Sequence, residues 1–277
     1  MVRKWKKYIP VYLMMLPGVV YLFINNYMPM AGLVAAFKQV NYSEGIWNSP
    51  WVAFKNFEFL FKTDEAFTIT RNTILYNLVF IIVGIVLGVF LAILISEVAH
   101  DKARKIYQSA VLVPFLMSIV IVSYIVYAFF SAENGLINNT ILPFFGKEAV
   151  NWYSEPKYWP FILVFVHTWK GIGYGCLIYL STINGIDRSL YEAASLDGAG
   201  KWKQIVHVTL PSLKGTIIVL TLLNIGKIFY ADFGLFYQVP MNSGQLYDVT
   251  NVIDTYVYRA LLQLGNTGMA AAAGFYQ

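Results

Sequence analysis

An all-α polytopic membrane protein is the fold class this sequence predicts, and three observations predict it. Of 277 residues, 58% are hydrophobic and only 13% are charged, where an average soluble domain carries roughly 25% charged residues. Five stretches, 9–37, 72–95, 111–130, 159–182 and 216–236, reach the about 20 residues needed to cross a hydrocarbon core. The basic residues between them fall where membrane helices are oriented by positive charge.

The first stretch follows the basic start Met1-Val-Arg-Lys-Trp-Lys-Lys. A secretory signal can begin this way, but the apolar run is too long for one and no small-residue cleavage site follows. A retained first helix with a cytoplasmic N-terminus is expected. Pro17 and Pro29 can kink it, which membrane helices tolerate. The second and third stretches are joined by Ser96–Gln108 with Lys102, Arg104 and Lys105. The fourth and fifth are joined by a segment with Arg188, Lys201, Lys203 and Lys214. Both connections are therefore expected inside. The segments Lys38–Arg71, Ser131–Lys157 and Tyr237–Thr267 carry most of the acids, among them Glu44, Asp64, Glu133, Glu155 and Asp254, and are expected outside. They are also rich in Trp and Tyr, as in "IWNSPWVAFKNFEFLF" and "VNWYSEPKYWP". These residues suit a lipid-interface belt or a docking surface for an external protein. The sixth apolar run, 268–277, stops after about ten residues, too few to cross. It is expected to be an incomplete span of a natural chain that continues. Residues 1–277 read as one transmembrane domain, with 183–213 as a cytoplasmic loop.

Several function classes fall away. The net charge of +5 is scattered and forms no basic face of the kind that reads nucleic acid. A single Cys176 excludes an internal disulfide and any cysteine metal cluster. No paired carboxylates or His-rich set share a membrane face, so no catalytic residue, no metal site and no enzymatic activity are expected.

Leu190–Leu213, "LYEAASLDGAGKWKQIVHVTLPSL", is the most informative stretch. Gly200-Lys201 resembles part of a phosphate loop, but that loop needs Gly, four residues, then Gly-Lys-Ser/Thr. Ser195 stands at the first glycine and Trp202 at the hydroxyl position, so the phosphate reading fails. The stretch reads instead as two short helices. Asp187 and Ser189 can cap a helix that starts near Leu190, with Glu192 in its first turn. Gly198 fits a helix stop and Gly200 a sharp turn. A second helix from Lys201 places Trp202, Ile205 and Val206 at helical spacing, and Leu210-Pro211 is expected to end it.

The order Glu192-Ala193-Ala194, then Gly198, Val208 and Leu210-Pro211 resembles the EAA signature of ABC importer permeases. Val208 stands where the family usually has Ile. Asp197, Ala199 and Trp202 fit the sugar-importer form. "WKGIGYGCLIYLSTINGIDRSLYEAASLDGA" resembles permeases of the maltose-importer type, and the segment from Ala231 onward resembles the oligosaccharide and polysaccharide uptake subgroup of Gram-positive bacteria. The resemblance implies a six-helix permease core in a bacterial plasma membrane, binding no cofactor itself. It implies separate ATPase subunits that bind ATP and Mg and dock on this loop. It further implies a second, unlike permease, an external lipid-anchored binding protein and a carbohydrate substrate. The coupling residues it implies are Glu192, Ala193, Ala194, Asp197, Gly198, Ala199, Trp202, Leu210 and Pro211.

Charged residues inside spans are the remaining signal. Lys170 falls near the middle of the fourth stretch, Lys227 near the middle of the fifth, and Asp232 nearer its outer end. Each such charge costs at least about 2.5 kcal/mol at a helix centre and faces a bundle interior or wet cavity. His167, Trp169 and Tyr174 flank Lys170, while Asn224 and Tyr230 stand three residues either side of Lys227, on one helix face. These eight residues form a candidate sugar path; the competing reading is structural pairing of the charges. A self-contained secondary transporter, with Lys170, Lys227 or Asp232 coupling an ion, is the alternative function. The absence of a recognisable inverted repeat argues against it.

Overall fold

The computed structural model of the chain describes residues 2–58 and 62–277, and side chains from Tyr8 onward. The basic cluster Arg3, Lys4, Lys6 and Lys7 lies outside the described side chains, as Phe59, Leu60 and Phe61 of the first aromatic run lie outside the described residues. The main helices are α1 (Val2–Leu22), α2 (Asp64–Ser96), α3 (Asp101–Leu116), α4 (Ile119–Phe130), α5 (Trp159–Asn184), α6 (Arg188–Leu196), α7 (Lys201–Gln204), α8 (Leu210–Ile225), α9 (Phe233–Gln238), α10 (Ile253–Leu262) and α11 (Thr267–Tyr276). The only β pairing among the described residues is one isolated bridge, Lys38 with Trp51. Among the described residues, four helical segments are long and apolar enough to cross a membrane: 8–37, 64–96, 156–184 and 201–225.

The chain divides into two compact units, residues 1–67 with 256–277 and residues 68–255. In the first unit, α1 passes through a π turn (Phe23–Tyr27) into a 3₁₀ stretch (Met28–Phe37) with Pro29 in its first turn, where a missing N–H costs nothing. Every side chain from 8 to 32 is exposed. The 3₁₀ stretch buries Ala35 and Ala36 and packs against α11. Phe37, Phe57 and Phe275 close this contact with ring centroids 5.4–5.9 Å apart.

The second unit is built around α5, whose two ends serve two cores. Trp159, Leu163 and Val166 pack with Tyr76 and Phe80 of α2, Val122 and Val126 of α4, and Leu235 and Phe236 of α9. Further along, Cys176, Tyr179, Leu180 and Ile183 pack with Val89, Ala92 and Ile95 of α2 and Leu213 of α8. Lipid tails are as apolar as leucine, so membrane helices associate through close packing and interhelical hydrogen bonds. Both occur here. A Cβ on Gly173 would lie 2.6 Å from the Val111 carbonyl carbon, so only glycine lets α3 approach α5 this closely. Thr182 Oγ1 meets Thr216 Oγ1 at 3.0 Å across α5 and α8.

Three expected boundaries differ. Residues 111–130 do not form one straight helix: α3 and α4 meet at a 94° bend. Pro114 supplies no N–H and crowds the preceding turn, and Ser118 then starts α4 as an N-cap, its hydroxyl accepting the Val120 N–H. Residues 216–236 are not one span either; the helix stops at Ile225, and α9 begins afresh at Phe233. Leu210-Pro211 does not end the preceding helix. A π turn (Ile205–Thr209) carries α7 into α8, where Pro211 occupies the first turn.

Candidate functional site

Two regions carry the sequence-selected residues: the capped helix between α5 and α8, and the polar groups around the breaks of α3/α4 and α8/α9.

α5 ends at Gly185, whose N–H donates to Ser181 O and Thr182 O. Two residues on, Asp187 N-caps α6, accepting the Ser189 N–H at 2.9 Å. This bond holds the Asp187 carboxyl below its usual pKa. The helix therefore starts at Arg188, two residues before the expected Leu190, which puts Glu192 beyond the first turn rather than in it. At the other end Ala199 N–H donates to Ala194 O (2.9 Å) and Gly198 N–H to Ser195 O (3.0 Å), the paired bonds of a Schellman cap. Gly198 takes φ +74°, the left-handed region in which a Cβ is strained. Nothing lies within 4 Å of the place a Gly198 Cβ would take, so backbone conformation rather than crowding selects glycine.

The α6 loop is fastened to its neighbours. Gln204, buried on α7, donates to Ser195 Oγ (2.8 Å) and Ala199 O (3.1 Å), and Tyr191 OH meets Thr209 Oγ1 at 2.9 Å. Lys201 pairs with Glu97, just after α2, at 2.9 Å. On this rigid base Glu192, Ala193, Asp197 and Gly198 are exposed, while Ala194 and Ala199 are half-buried. Trp202 is 76% exposed and Leu196 90%. Sequence pattern alone does not single out Leu196. Its cue is its place: an apolar residue on the last turn before the glycine cap, with no hydrophobic partner following it. Leu210 and Pro211 sit in the first turn of α8 and shape it.

The eight polar-path residues are not one cluster. His167, Tyr174 and Asn224 line a shared cavity of about 240 Å³ with Gly171 and Gly175, and the His167 ring stacks on Phe80 at 3.7 Å. Trp169 packs against the first core instead. Lys170 donates to Phe115 O at 3.3 Å, with its ammonium 5.7 Å from the Phe115 ring. It thus places a cation at the C-terminus of α3, where carbonyls are unpaired and the helix dipole is negative. Tyr174, one turn on, stacks on the same Phe115 at 5.2 Å. Lys170 is therefore seated at the α3/α4 bend, the structural pairing with a carbonyl.

Lys227 and Tyr230 do not share a helix face with Asn224, because the helix ends before them. Both are exposed in the 226–232 break. Asp232 N-caps α9, accepting the Leu235 N–H at 3.1 Å. The break has its own supports, which no sequence pattern reveals. Asn77 of α2 donates to Ile228 O (2.9 Å) and Tyr230 O (3.0 Å), and Asp254 accepts the Ala231 N–H at 2.7 Å. These bonds satisfy backbone groups that a membrane would not solvate.

Residues 84–233, which include both breaks, α6 and its caps, match the family described as binding-protein-dependent transport system inner membrane component. The chain belongs to this family. A curated relative, the polygalacturonan/rhamnogalacturonan transport system permease protein YteP of Bacillus subtilis (strain 168), is 34% identical over 266 residues, which span 96% of this chain and 82% of YteP. A solved bacterial ABC transporter involved in import of the acidic polysaccharide alginate contains a chain with TM-score 0.89 and 33% identity, covering 99% of this chain and 92% of that one. A second solved structure, of a bacterial alginate ABC transporter with an alginate pentasaccharide-bound periplasmic protein, gives TM-score 0.88 at 32% identity over 99% of this chain and 90% of that one. This permease is accordingly an all-helical ABC transporter permease of the binding-protein-dependent, sugar-transporting kind.

Proposed function

We propose that this chain is the permease subunit of an importer that moves an oligosaccharide inward across a bacterial plasma membrane. ATP is hydrolysed on separate ATPase subunits, and α6 is the coupling helix that docks on them. The N-terminus and the α6 loop face the cytoplasm; a second, unlike permease completes the path, and an external binding protein, lipid-anchored in a Gram-positive host, delivers the sugar. The observation that carries this reading is the build of the α6 loop. It is capped at both ends, tied back by Gln204 and Tyr191, and presents Leu196 and Trp202 largely exposed. Rigid exposed apolar side chains ringed by small residues suit insertion into a groove, where an aromatic anchor dominates binding. Glu192 adds an exposed acid that can meet a basic or polar group.

Motion has a direct route. α5 runs 26 residues without a break, about 39 Å at 1.5 Å per residue, and joins α6 through three residues. A push on α6 reaches the α3/α4 bend through Gly173 against Val111 and Lys170 on Phe115. The cavity holding His167, Tyr174 and Asn224 offers hydrogen-bonding groups and an aromatic face to a sugar. Secondary transport finds no support: of its three proposed ion-coupling groups, Lys170 and Asp232 are engaged at helix ends and Lys227 is exposed in the 226–232 break.

The test is co-purification with the cognate ATPase. Leu196→Ser with Trp202→Ala should abolish association while insertion and folding are kept; undiminished association would refute the docking role of α6.

A further inference from the structure

We propose that the first unit carries an external subsite for an acidic saccharide, separate from the path between the helices of the second unit. A hollow of about 390 Å³ there is lined by Lys38, Gln39, Lys55, Asn56, Asn266 and Thr267 among others. That volume lies in the range of small-ligand sites, roughly 300–1,000 Å³. Among the described residues, no carboxylate lines it.

Lys38 is the unusual feature. It is 4% exposed, its ammonium donates to the Trp47 carbonyl and lies 5.3 Å from the Trp51 ring, and it forms no ion pair among the described residues. Buried charges are ordinarily compensated by an opposite charge; a carbonyl and a ring leave most of this one uncompensated. Lys55 adds a second, exposed cation at the same hollow. Of the nearby acids, Glu58 is occupied by Lys62 at 2.6 Å, and Glu44, which lines the adjoining hollow, accepts from Asn41 Nδ2 at 3.1 Å. The hollow is therefore positive, and an anion is what completes it.

The surroundings specify which anion. Tyr42 OH meets Thr267 Oγ1 at 2.6 Å and donates to Gly265 O at 3.3 Å, yet the residue is 72% exposed. Tyr42 belongs to a second hollow of about 740 Å³ that shares Gln39 and Val40 with the first. A pinned, open aromatic face thus stands one step along from two cations and an exposed amide. A sugar ring has an apolar C–H face for the tyrosine and hydroxyls for Gln39; a carboxylate on the next ring reaches the lysines. A free inorganic anion would leave the aromatic face unused. The fitting ligand is a uronate-containing oligosaccharide.

This subsite rests on the importer reading for its external position, and the experiment separates the two. Trigalacturonate and a neutral trisaccharide are titrated into the complete transporter in nanodiscs, without binding protein; the same purified variants, reconstituted in proteoliposomes with the binding protein, report ATP-dependent uptake and binding-protein-stimulated ATPase activity. Lys55→Met and Lys38→Met should each weaken trigalacturonate about tenfold or more, since each removes a charge-assisted contact. They should leave the neutral sugar unchanged, and Lys55→Arg should retain binding. Lys55 is exposed, so its variants test the site even if Lys38→Met does not fold. Equal trigalacturonate affinity in wild type and Lys55→Met overturns the subsite, whatever the uptake. Loss of binding-protein-stimulated ATPase activity with neutral and acidic sugars alike also overturns it, by marking the surface as a protein contact. Absence of ATP-dependent uptake in wild type overturns the importer reading instead.

Discussion

Gly173→Ala is the sharpest perturbation the packing offers. The added methyl would sit 2.6 Å from the Val111 carbonyl carbon and 3.1 Å from the Leu112 nitrogen, and would overlap the Val111 oxygen. These are backbone atoms in the middle of α3, so no side chain can swing aside. The helices must separate, and the Lys170–Phe115 contact one turn away separates with them. Overpacking of this kind costs about 1–3 kcal/mol or more. Gly171 and Gly175 are natural controls, since nothing lies within 4 Å of a Cβ on either and alanine is the better helix former by about 1 kcal/mol. The difference between Gly173→Ala and Gly171→Ala should therefore reach about 2–4 kcal/mol. Reversible denaturation in mixed micelles, followed by circular dichroism, measures it. Coincident midpoints for the two variants would refute the close α3–α5 contact, and with it the route from α6 to the bend.

Further outcomes rest on single contacts. Gly198→Ala should cost about 1–2 kcal/mol of local α6 stability through its left-handed backbone, with Gly198→Asn losing less; amide exchange at Asp197–Gly200 reads both. Asn77→Leu removes the donor of the part-buried Ile228 carbonyl and of the exposed Tyr230 carbonyl; the first loss costs about 1 kcal/mol or more, so the denaturation midpoint should fall while Asn77→Gln retains part of the difference. Asp187 is held ionised by the Ser189 bond and so has a folded pKa below its unfolded one. Its contribution to α6 is present above the ordinary carboxylate range and lost as pH falls through the lowered folded value. Protease sensitivity of the α6 loop should rise on acidification in wild type, and Asp187→Asn should flatten that dependence.

The organisation of the chain is legible in the sequence where chemistry is local. Low charge and long apolar runs mark helices that must satisfy their own backbone. Asp187 and Gly198 announce α6 because a cap and a left-handed stop are set by one residue each. The breaks are hidden because their causes are not local. Residues 111–130 are almost wholly apolar, so hydropathy runs through the bend; only Pro114 with Ser118 four residues later signals it. "GKIFYADFG" at 226–234 keeps a helical pattern that would place Lys227 on a face with Asn224. The donor and acceptor that stabilise the unwound form, Asn77 and Asp254, lie far away in sequence. Lys170 is visible as a costly charge, but its partner is a backbone carbonyl 55 residues earlier, which no spacing rule reveals. Leu196 escapes notice because an apolar residue on a short helix reads as core until its exposure is seen.

The central claim is that this permease moves sugar with energy taken in through α6. Reconstitution with the second permease, the ATPases and the external binding protein tests it most directly, by sugar uptake into proteoliposomes. Uptake should require ATP on the ATPase side and binding protein on the other, stop with vanadate, and be lost in the Leu196→Ser/Trp202→Ala variant. Uptake driven by an ion gradient without ATP, or untouched by that variant, would contradict it.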